Sequence, residues 1–250
     1  MTIIKSLEAA SAEKVFAAGD AVATLGGAAK TLDAEYRVPF LAHATLEPMN
    51  ATARIADGHC DVWTGVQDPL AARKVAAKAA KLGEKHVTVH NQQLGGGFGR
   101  RLPGAHDFVD QAVRIAKEVS PAPVKLLWSR EEDIQHDYYR PAVIGRFKGA
   151  VDSSGAPTVW ISKFNGAGGD AARLPYAIPN QDIRSIGHDT HVRLGSWRSV
   201  EHSQHGFFTE CFIDELAHAA GKEPYEFRRA LLKDAPRHRA VLYGDRKSVV

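Results

Sequence analysis

Cysteine is nearly absent: only Cys60 and Cys211 occur among 250 residues, too few for a disulfide framework or a Cys-rich metal site. An iron–sulfur centre normally takes four thiolates, so any such centre must sit on another polypeptide. No apolar run approaches the roughly 18 residues that a membrane helix needs. Neither sign of charge is in excess, since 32 Lys+Arg against 29 Asp+Glu leave +3. That balance excludes a polycationic nucleic-acid arm, and no block of like charges marks a tail. No Gly-x-Ser-x-Gly elbow supports a serine hydrolase. The start, Met1–Lys5 followed by a polar, Ala-rich Ser6–Lys14, does not read as a signal peptide. What is present, 44% hydrophobic and 24% charged residues, is the composition of a globular protein with a packed core.

Ala17–Lys30 is built of Gly and Ala with little to bury and reads as an exposed linker or early strand. Leu32–Ala42 alternates loosely and carries Pro39, which suits an edge strand or an entry segment. Asp57-Gly58 between two short β-prone runs, Ala51–Ala56 and His59–Thr64, is a hairpin signal. Asp68 caps a helix that opens on Pro69, with Gly83 as its expected C-cap. His86–Val89 reads as a buried strand, and His106–Val119 as a helix with Phe108, Val109, Ala112, Val113, Ala116 and Val119 on one face. Val124–Trp128 is a further strand, and Val143–Val151 with Thr158–Phe164 a hairpin. A third helix is expected over about Ser203–Ala220, closed by Gly221, and a short fourth from Pro224 to near Leu232. Strands and helices mix without a clean βαβ repeat, so the expected class is α+β.

The sharpest local feature is Gly95-Gly96-Gly97-Phe98-Gly99-Arg100-Arg101. Consecutive glycines after a strand free backbone N–H groups to meet a ligand, and the following helix adds the positive end of its dipole. Arg100 and Arg101 could add charge-assisted bonds to phosphate. A plain tight turn remains the alternative, because the loop is neither a P-loop nor a spaced dinucleotide fingerprint. The histidines, including His188/His191 and His202/His205, do not form a two-His-plus-carboxylate motif, and no metal ligand is assigned. His43 and Glu47 stand at helical spacing as an acid/base or structural pair. Glu131, Glu132 and Asp133 read as a solvated run starting a helix or turn, and Cys60 and Cys211 as core thiols.

Seven segments in order carry a resemblance: His43-Ala-Thr-Leu-Glu47-Pro48-Met49-Asn50, Trp63-Thr-Gly-Val-Gln67-Asp-Pro69, Leu94–Arg101, Trp128–Asp133, Tyr139-Arg-Pro141, Trp197-Arg-Ser199 and Glu210–Ala217. Over roughly Leu32–Leu242 the chain resembles the molybdopterin-binding subunit of the molybdenum hydroxylases. It is similar to the large subunit of bacterial isoquinoline 1-oxidoreductase and to related aldehyde dehydrogenases of the xanthine dehydrogenase and aldehyde oxidase family. The resemblance implies a partial molybdopterin-binding domain over 32–244, with 1–31 a linker or a truncated preceding segment. It implies a molybdenum–molybdopterin cofactor, expected in its cytosine dinucleotide form, and [2Fe-2S] clusters on a small iron–sulfur partner subunit. The implied substrate is an aldehyde or an N-heterocycle, oxidised with water-derived oxygen; no nucleic-acid partner and no transmembrane segment are implied.

Residue by residue, the resemblance gives Gln67 the place of the glutamine that hydrogen-bonds an oxo ligand of the molybdenum. Gly96, Gly97, Phe98, Gly99 and Arg100 match the loop along the molybdenum ligands and the pterin. Arg198 matches the arginine of a second cofactor loop, whose span includes Ser199 and Gln204. Three departures stand out. The family's general base is a glutamate in a downstream Gly-Glu motif that no residue here matches, so the chain alone is expected to be inactive. Arg100-Arg101-Leu102 stand where xanthine-type relatives carry Gly-Lys-Glu, so a purine substrate is not expected. Glu201 replaces an expected glycine in the second loop and brings a charge and a Cβ toward an anionic ligand. Glu201 and the missing base motivate the alternative of a non-catalytic ligand-binding module that kept the Gly-rich loop. The family's subunit is several times longer, so the chain is expected to be an internal piece. Asp245–Val250 match the translation of a sequencing-library adapter and are expected to be a non-native tail.

Overall fold

The computed structural model describes Leu7, Glu8 and residues 12–248, with side chains through residue 245. The readings of Met1–Lys5 and of residues 249–250 lie outside these. The chain divides into two units, one of residues 1–39, 142–189 and 201–250, the other of residues 40–141 and 190–200.

The first unit is a five-stranded sheet in the order β1-β9-β8-β7-β2, formed by β1 (Glu13–Ala18), β2 (Lys30–Val38), β7 (Val143–Val151), β8 (Pro157–Asn165) and β9 (Asn180–Ile186). β7 and β8 form the expected hairpin, and β2 is indeed an edge strand paired to β7. The segment before Leu32, expected as a linker, an early strand or a truncated preceding segment, forms regular structure in its described part. Glu13–Ala18 pairs with β9, and Ala21–Gly26 is a short helix, α1, capped by Asp20, whose side chain accepts the Ala23 N–H at 3.0 Å. Small residues allow this, because α1 needs to bury little beyond Ala21, Leu25 and Ala28 against Ala150 and Val159.

Helix α5 (His202–Ala219) lies on β7 and β2 and buries Phe208, Phe212, Ile213 and Leu216 against Phe147 and Trp160. Six aromatic pairs among Phe147, Trp160, Phe208, Phe212 and Tyr36 have centroids between 5.0 and 6.0 Å; five are edge-on or tilted and the sixth, Tyr36–Phe208, is stacked. Gly221 ends the helix at φ +65°, as expected. Cys211 is half-buried on α5 rather than in the core. Helix α6 (Pro224–Leu231) follows with Pro224 in its first turn, and α7 (Pro236–Ser248) carries the backbone into the segment read as a tail.

The second unit is a four-stranded sheet in the order β5-β4-β3-β6. Its strands are β3 (Asn50–Ala56), β4 (His59–Thr64), β5 (Val87–Asn91) and β6 (Val124–Leu127). Asp57 and Gly58 take φ of +52° and +74° at the β3–β4 hairpin, as a type I′ turn requires. The connection from β4 to β5 runs through helix α2 (Pro69–Ala80) and leaves the two strands parallel, a βαβ unit that the sequence pattern did not reveal. Asp68 caps α2 as expected, its side chain accepting the Ala71 N–H at 2.9 Å.

The C-terminus of α2 differs from expectation. Lys81, at φ +60°, takes the left-handed position, with Leu82 N–H on Ala77 O at 3.0 Å and Lys81 N–H on Lys78 O at 3.3 Å, and Gly83 is not used for it. Helix α3 (Asp107–Glu118) sets Phe108, Val109, Ala112, Val113 and Ala116 fully inside, at helical spacing, while Val119 is nearly half exposed. The alanines of α2 at 72, 76 and 77 let the two helices approach closely over Met49, Ala51, Cys60 and Val62 of the sheet. Among the described residues no helix is long and apolar enough to cross a membrane, and no group of His, Cys, Asp or Glu could hold a metal ion.

Candidate functional site

The Gly-rich loop joins β5 to α3 within the second unit, and its conformation depends on glycine at specific points. Gly96 and Gly99 take φ of +106° and +111°, and Phe98 takes +55° between them. A Cβ on Gly97 would come within 2.5 Å of the Gln67 Oε1, and one on Gly99 within 1.8 Å of the Ser196 carbonyl oxygen. Only a residue without a side chain fits either place.

The loop's carbonyls are bound inward. Gly95 O accepts the Glu47 N–H at 3.0 Å, Gly97 O accepts the Arg100 N–H at 2.9 Å, and Gly96 O accepts Arg101 Nε at 3.1 Å. In a trans peptide the next N–H points opposite to its carbonyl. The N–H groups of Gly96, Gly97 and Phe98 therefore face away from these partners, and among the described residues none of the three has an acceptor. Gly99 N–H donates to Gln67 Oε1 at 2.9 Å. An amide oxygen so engaged leaves the Gln67 –NH2, on an exposed side chain, available beside the same loop.

Two arginines lie under the loop, and both correct the expectation that they face a ligand. Arg100 and Arg101 are 0% exposed. Arg101 reaches Gly65 O at 2.8 Å, Glu47 O at 3.0 Å and the Glu47 carboxylate at 3.2 Å. Burial pulls its pKa down, and Glu47 and Asp133 oppose that pull. Burial also works against the charge of Glu47, but bonds from Asn50 and the Gly95 N–H, with the Arg101 charge, hold its carboxyl below the usual range. Arg100 places Nη1 on Ala105 O at 2.7 Å and Nη2 on Asp107 at 3.0 Å, with Nε 3.3 Å from Asp137. Its guanidinium stacks over Trp128 and Tyr138 at 5.4 and 5.3 Å. A buried charge needs such partners, and here they are protein groups.

His43 and Glu47 do not form the expected pair. His43 bonds Asp137 and the Ser196 carbonyl, each at 2.8 Å, while Glu47 serves the Gly-rich loop. Ala44 at φ +45° shows that no helix links them. Asp133 is likewise not solvated: it is 3% exposed, on the short helix α4 (Arg130–Gln135), and burial first of all raises its pKa. Sequence spacing gave no signal for Asp133 and Asp137 as the counter-charges of Arg100, since the pairing arises from the return of the chain after β6.

Arg198 and Ser199 lie on the segment 190–200 of this unit, and both are exposed. The Arg198 guanidinium sits 6.0 Å from the Phe98 ring centroid, so the structure brings together Gln67, Gly96–Gly99 and Arg198. Ser199 and Val200 take φ of +62° and +50°, a strained backbone for a β-branched residue. Glu201, by contrast, has φ −67°, so its backbone does not call for the glycine expected there. Gln204 belongs to the other unit, buried on α5, where its Oε1 accepts the Ser203 hydroxyl at 2.8 Å.

Residues 6–232 match the family described as "Molybdopterin cofactor-binding domain". The chain is 33% identical over 240 residues to the membrane-bound aldehyde dehydrogenase [pyrroloquinoline-quinone] of Gluconacetobacter polyoxogenes, covering 86% of this chain and 31% of that protein. It is 30% identical over 225 residues to the isoquinoline 1-oxidoreductase subunit beta of Brevundimonas diminuta, covering 80% of this chain and 28% of that one. The chain thus spans about a third of the length of these relatives. Its fold matches that of quinoline 2-oxidoreductase from Pseudomonas putida 86 with a TM-score of 0.73 at 19% identity, over 88% of this chain and 30% of that one. The α+β class expected from the sequence is the fold observed, and the chain belongs to the family of molybdopterin cofactor-binding domains.

Proposed function

We propose that this segment is the part of a molybdenum hydroxylase-type oxidoreductase that holds the molybdenum–molybdopterin cofactor through the loop 95–99 and Gln67. One observation carries the reading: three consecutive peptides, at Gly96, Gly97 and Phe98, have their preceding carbonyls bonded inward and their N–H groups without acceptors. Such a donor row suits an anionic group rich in oxygen and sulfur. The residues present fit that group, because a Cβ at Gly97 or Gly99 would fill the cradle or collide with its walls.

When bound, the cofactor supplies the two-electron oxidation that adds water-derived oxygen to an aldehyde or to an electron-poor ring carbon beside nitrogen. The chain's own residues bind and orient. The Gln67 –NH2 is available to donate to an oxygen on the metal, its carbonyl being fixed by Gly99. Arg198, whose guanidinium lies 6.0 Å from the Phe98 ring centroid, would meet an anionic part of the cofactor or substrate. Ser199 and Gln204 are assigned to the second cofactor loop on the resemblance alone. The cofactor form is the cytosine dinucleotide, and the electrons leave through [2Fe-2S] clusters of a small partner subunit. The two cysteines of this chain, which cannot hold such a cluster, support that division. Molybdopterin is preferred to the quinone in one relative's name because the family match runs over 6–232.

The test is to purify the full chain with its co-encoded subunits and assay oxidation of aldehydes and N-heterocycles with an artificial electron acceptor. The reading expects turnover with incorporation of 18O from labelled water. A preparation that contains all subunits, folds and carries molybdenum, yet oxidises neither class, contradicts it.

A further inference from the structure

Behind the Gly-rich loop lies a buried histidine that the cofactor reading does not use. The His43 side chain is 1% exposed and Asp137 beside it 2%. Nδ1 of His43 is 2.8 Å from Asp137 Oδ1, and Nε2 is 2.8 Å from the Ser196 carbonyl oxygen. A carbonyl oxygen has no proton to give, so Nε2 is the donor there. The carboxylate of Asp137 has none to give either. Its Oδ1 also receives the Tyr138 N–H at 2.7 Å and faces Arg100 Nε at 3.3 Å, while its Oδ2 receives the His43 backbone N–H. Burial works against the Asp137 charge, but the bonds from His43 and Tyr138 outweigh it and hold the carboxyl below its usual range. Both ring nitrogens of His43 therefore donate, and an imidazole that donates twice is an imidazolium.

The surroundings are consistent with a positive charge at this point. Three carboxylates, Asp107, Asp133 and Asp137, crowd Arg100 at 3.0, 4.0 and 3.3 Å. Arg130 meets Asp133 at 3.3 Å and Arg193 meets Asp107 at 3.6 Å, which leaves Asp137 with His43 as its nearest cation. The same contact joins two loops. Ser196 O lies where a Gly99 Cβ would be, and Trp197 Nε1 adds a bond to Ala42 O at 3.5 Å.

We propose that His43 is a positioning residue that donates from both ring nitrogens, to Asp137 through Nδ1 and to Ser196 O through Nε2, and so holds Ser196 against Gly99, setting Arg198 and Ser199 beside the loop 95–99. The use made of the two loops rests on the cofactor reading above; the protonation state does not.

The experiment records the ring-nitrogen resonances of the full chain labelled with 15N-histidine at about pH 8, where an ordinary histidine, near about 6.5, is neutral. One histidine is expected to carry both ring protons, and that signal is absent in His43→Gln. If no histidine is doubly protonated, or if that signal survives in His43→Gln, the assignment of charge is overturned. The positioning role is read separately, as pterin retained after gel filtration. His43→Gln keeps a neutral donor within reach of Ser196, and His43→Phe keeps none. Loss is expected to be about 10–100-fold for His43→Phe and smaller for His43→Gln, the range typical of groups that orient a ligand's direct partners. Retention equal to wild type in both variants overturns the positioning role. Should the wild-type chain carry no pterin, the cofactor reading fails, and the resonances still decide the charge on His43.

Discussion

The Gln67 amide oxygen accepts the Gly99 N–H at 2.9 Å, which fixes the amide while its –NH2 has no acceptor among the described residues. Gln67→Glu keeps an acceptor for Gly99 and removes that donor. Its expected effect is a fall of about 10–100-fold in kcat/KM with little loss of fold. Steady-state kinetics beside thermal unfolding of the same preparation checks this.

Gly99→Ala is expected to act on the fold itself. The new Cβ would meet Ser196 O at 1.8 Å, on a backbone at φ +111°. Left-handed strain and overpacking together cost about 2–5 kcal/mol. Denaturant unfolding of the variant measures the loss directly.

Arg101 separates a structural role from a ligand-binding one. Because it is fully buried and bonded to Gly65 O, Gly96 O and Glu47, Arg101→Met is expected to destabilise by about 3–5 kcal/mol. An arginine that served only to bind phosphate at the surface would leave stability within about 0.5 kcal/mol. The melting temperature of the variant distinguishes the two.

The elements with local chemistry were legible in the sequence. Asp57-Gly58, Asp68-Pro69, the apolar face of 108–116 and the hairpin 143–164 all stand where turn, cap and period signals put them. So was the Gly-rich loop. What sequence could not show was long-range charge pairing. Arg100 and Arg101 carry the strongest charge signal in the loop, yet Asp107, Asp133, Asp137 and Glu47 neutralise them inside the fold. The αL end of α2 at Lys81 and the edge strand at Glu13–Ala18 were missed for a related reason: tertiary packing decided both against weak local preference.

His205 gives a pH dependence of defined sign. It is 3% exposed against Phe164 and Phe208, and burial lowers its pKa to about 4. The unfolded chain takes up the proton near pH 6.5, whereas the folded one does so only near 4. Its contribution is therefore fully present above about pH 6.5 and is lost as pH falls toward about 4, by about 3 kcal/mol at most. Stability measured across that window is expected to fall in the wild-type chain and to fall less in His205→Leu.

The central claim is that the loop 95–99 holds molybdopterin through its free N–H groups. The measurement that tests it most directly is the molybdenum and pterin content of the purified full chain, wild type beside Gly97→Ala, whose Cβ would stand 2.5 Å from Gln67 Oε1. The account predicts near-stoichiometric molybdenum and pterin in the wild type and a loss of about tenfold or more in the variant. Wild-type protein without the cofactor, or a variant that retains it in full, would contradict the account.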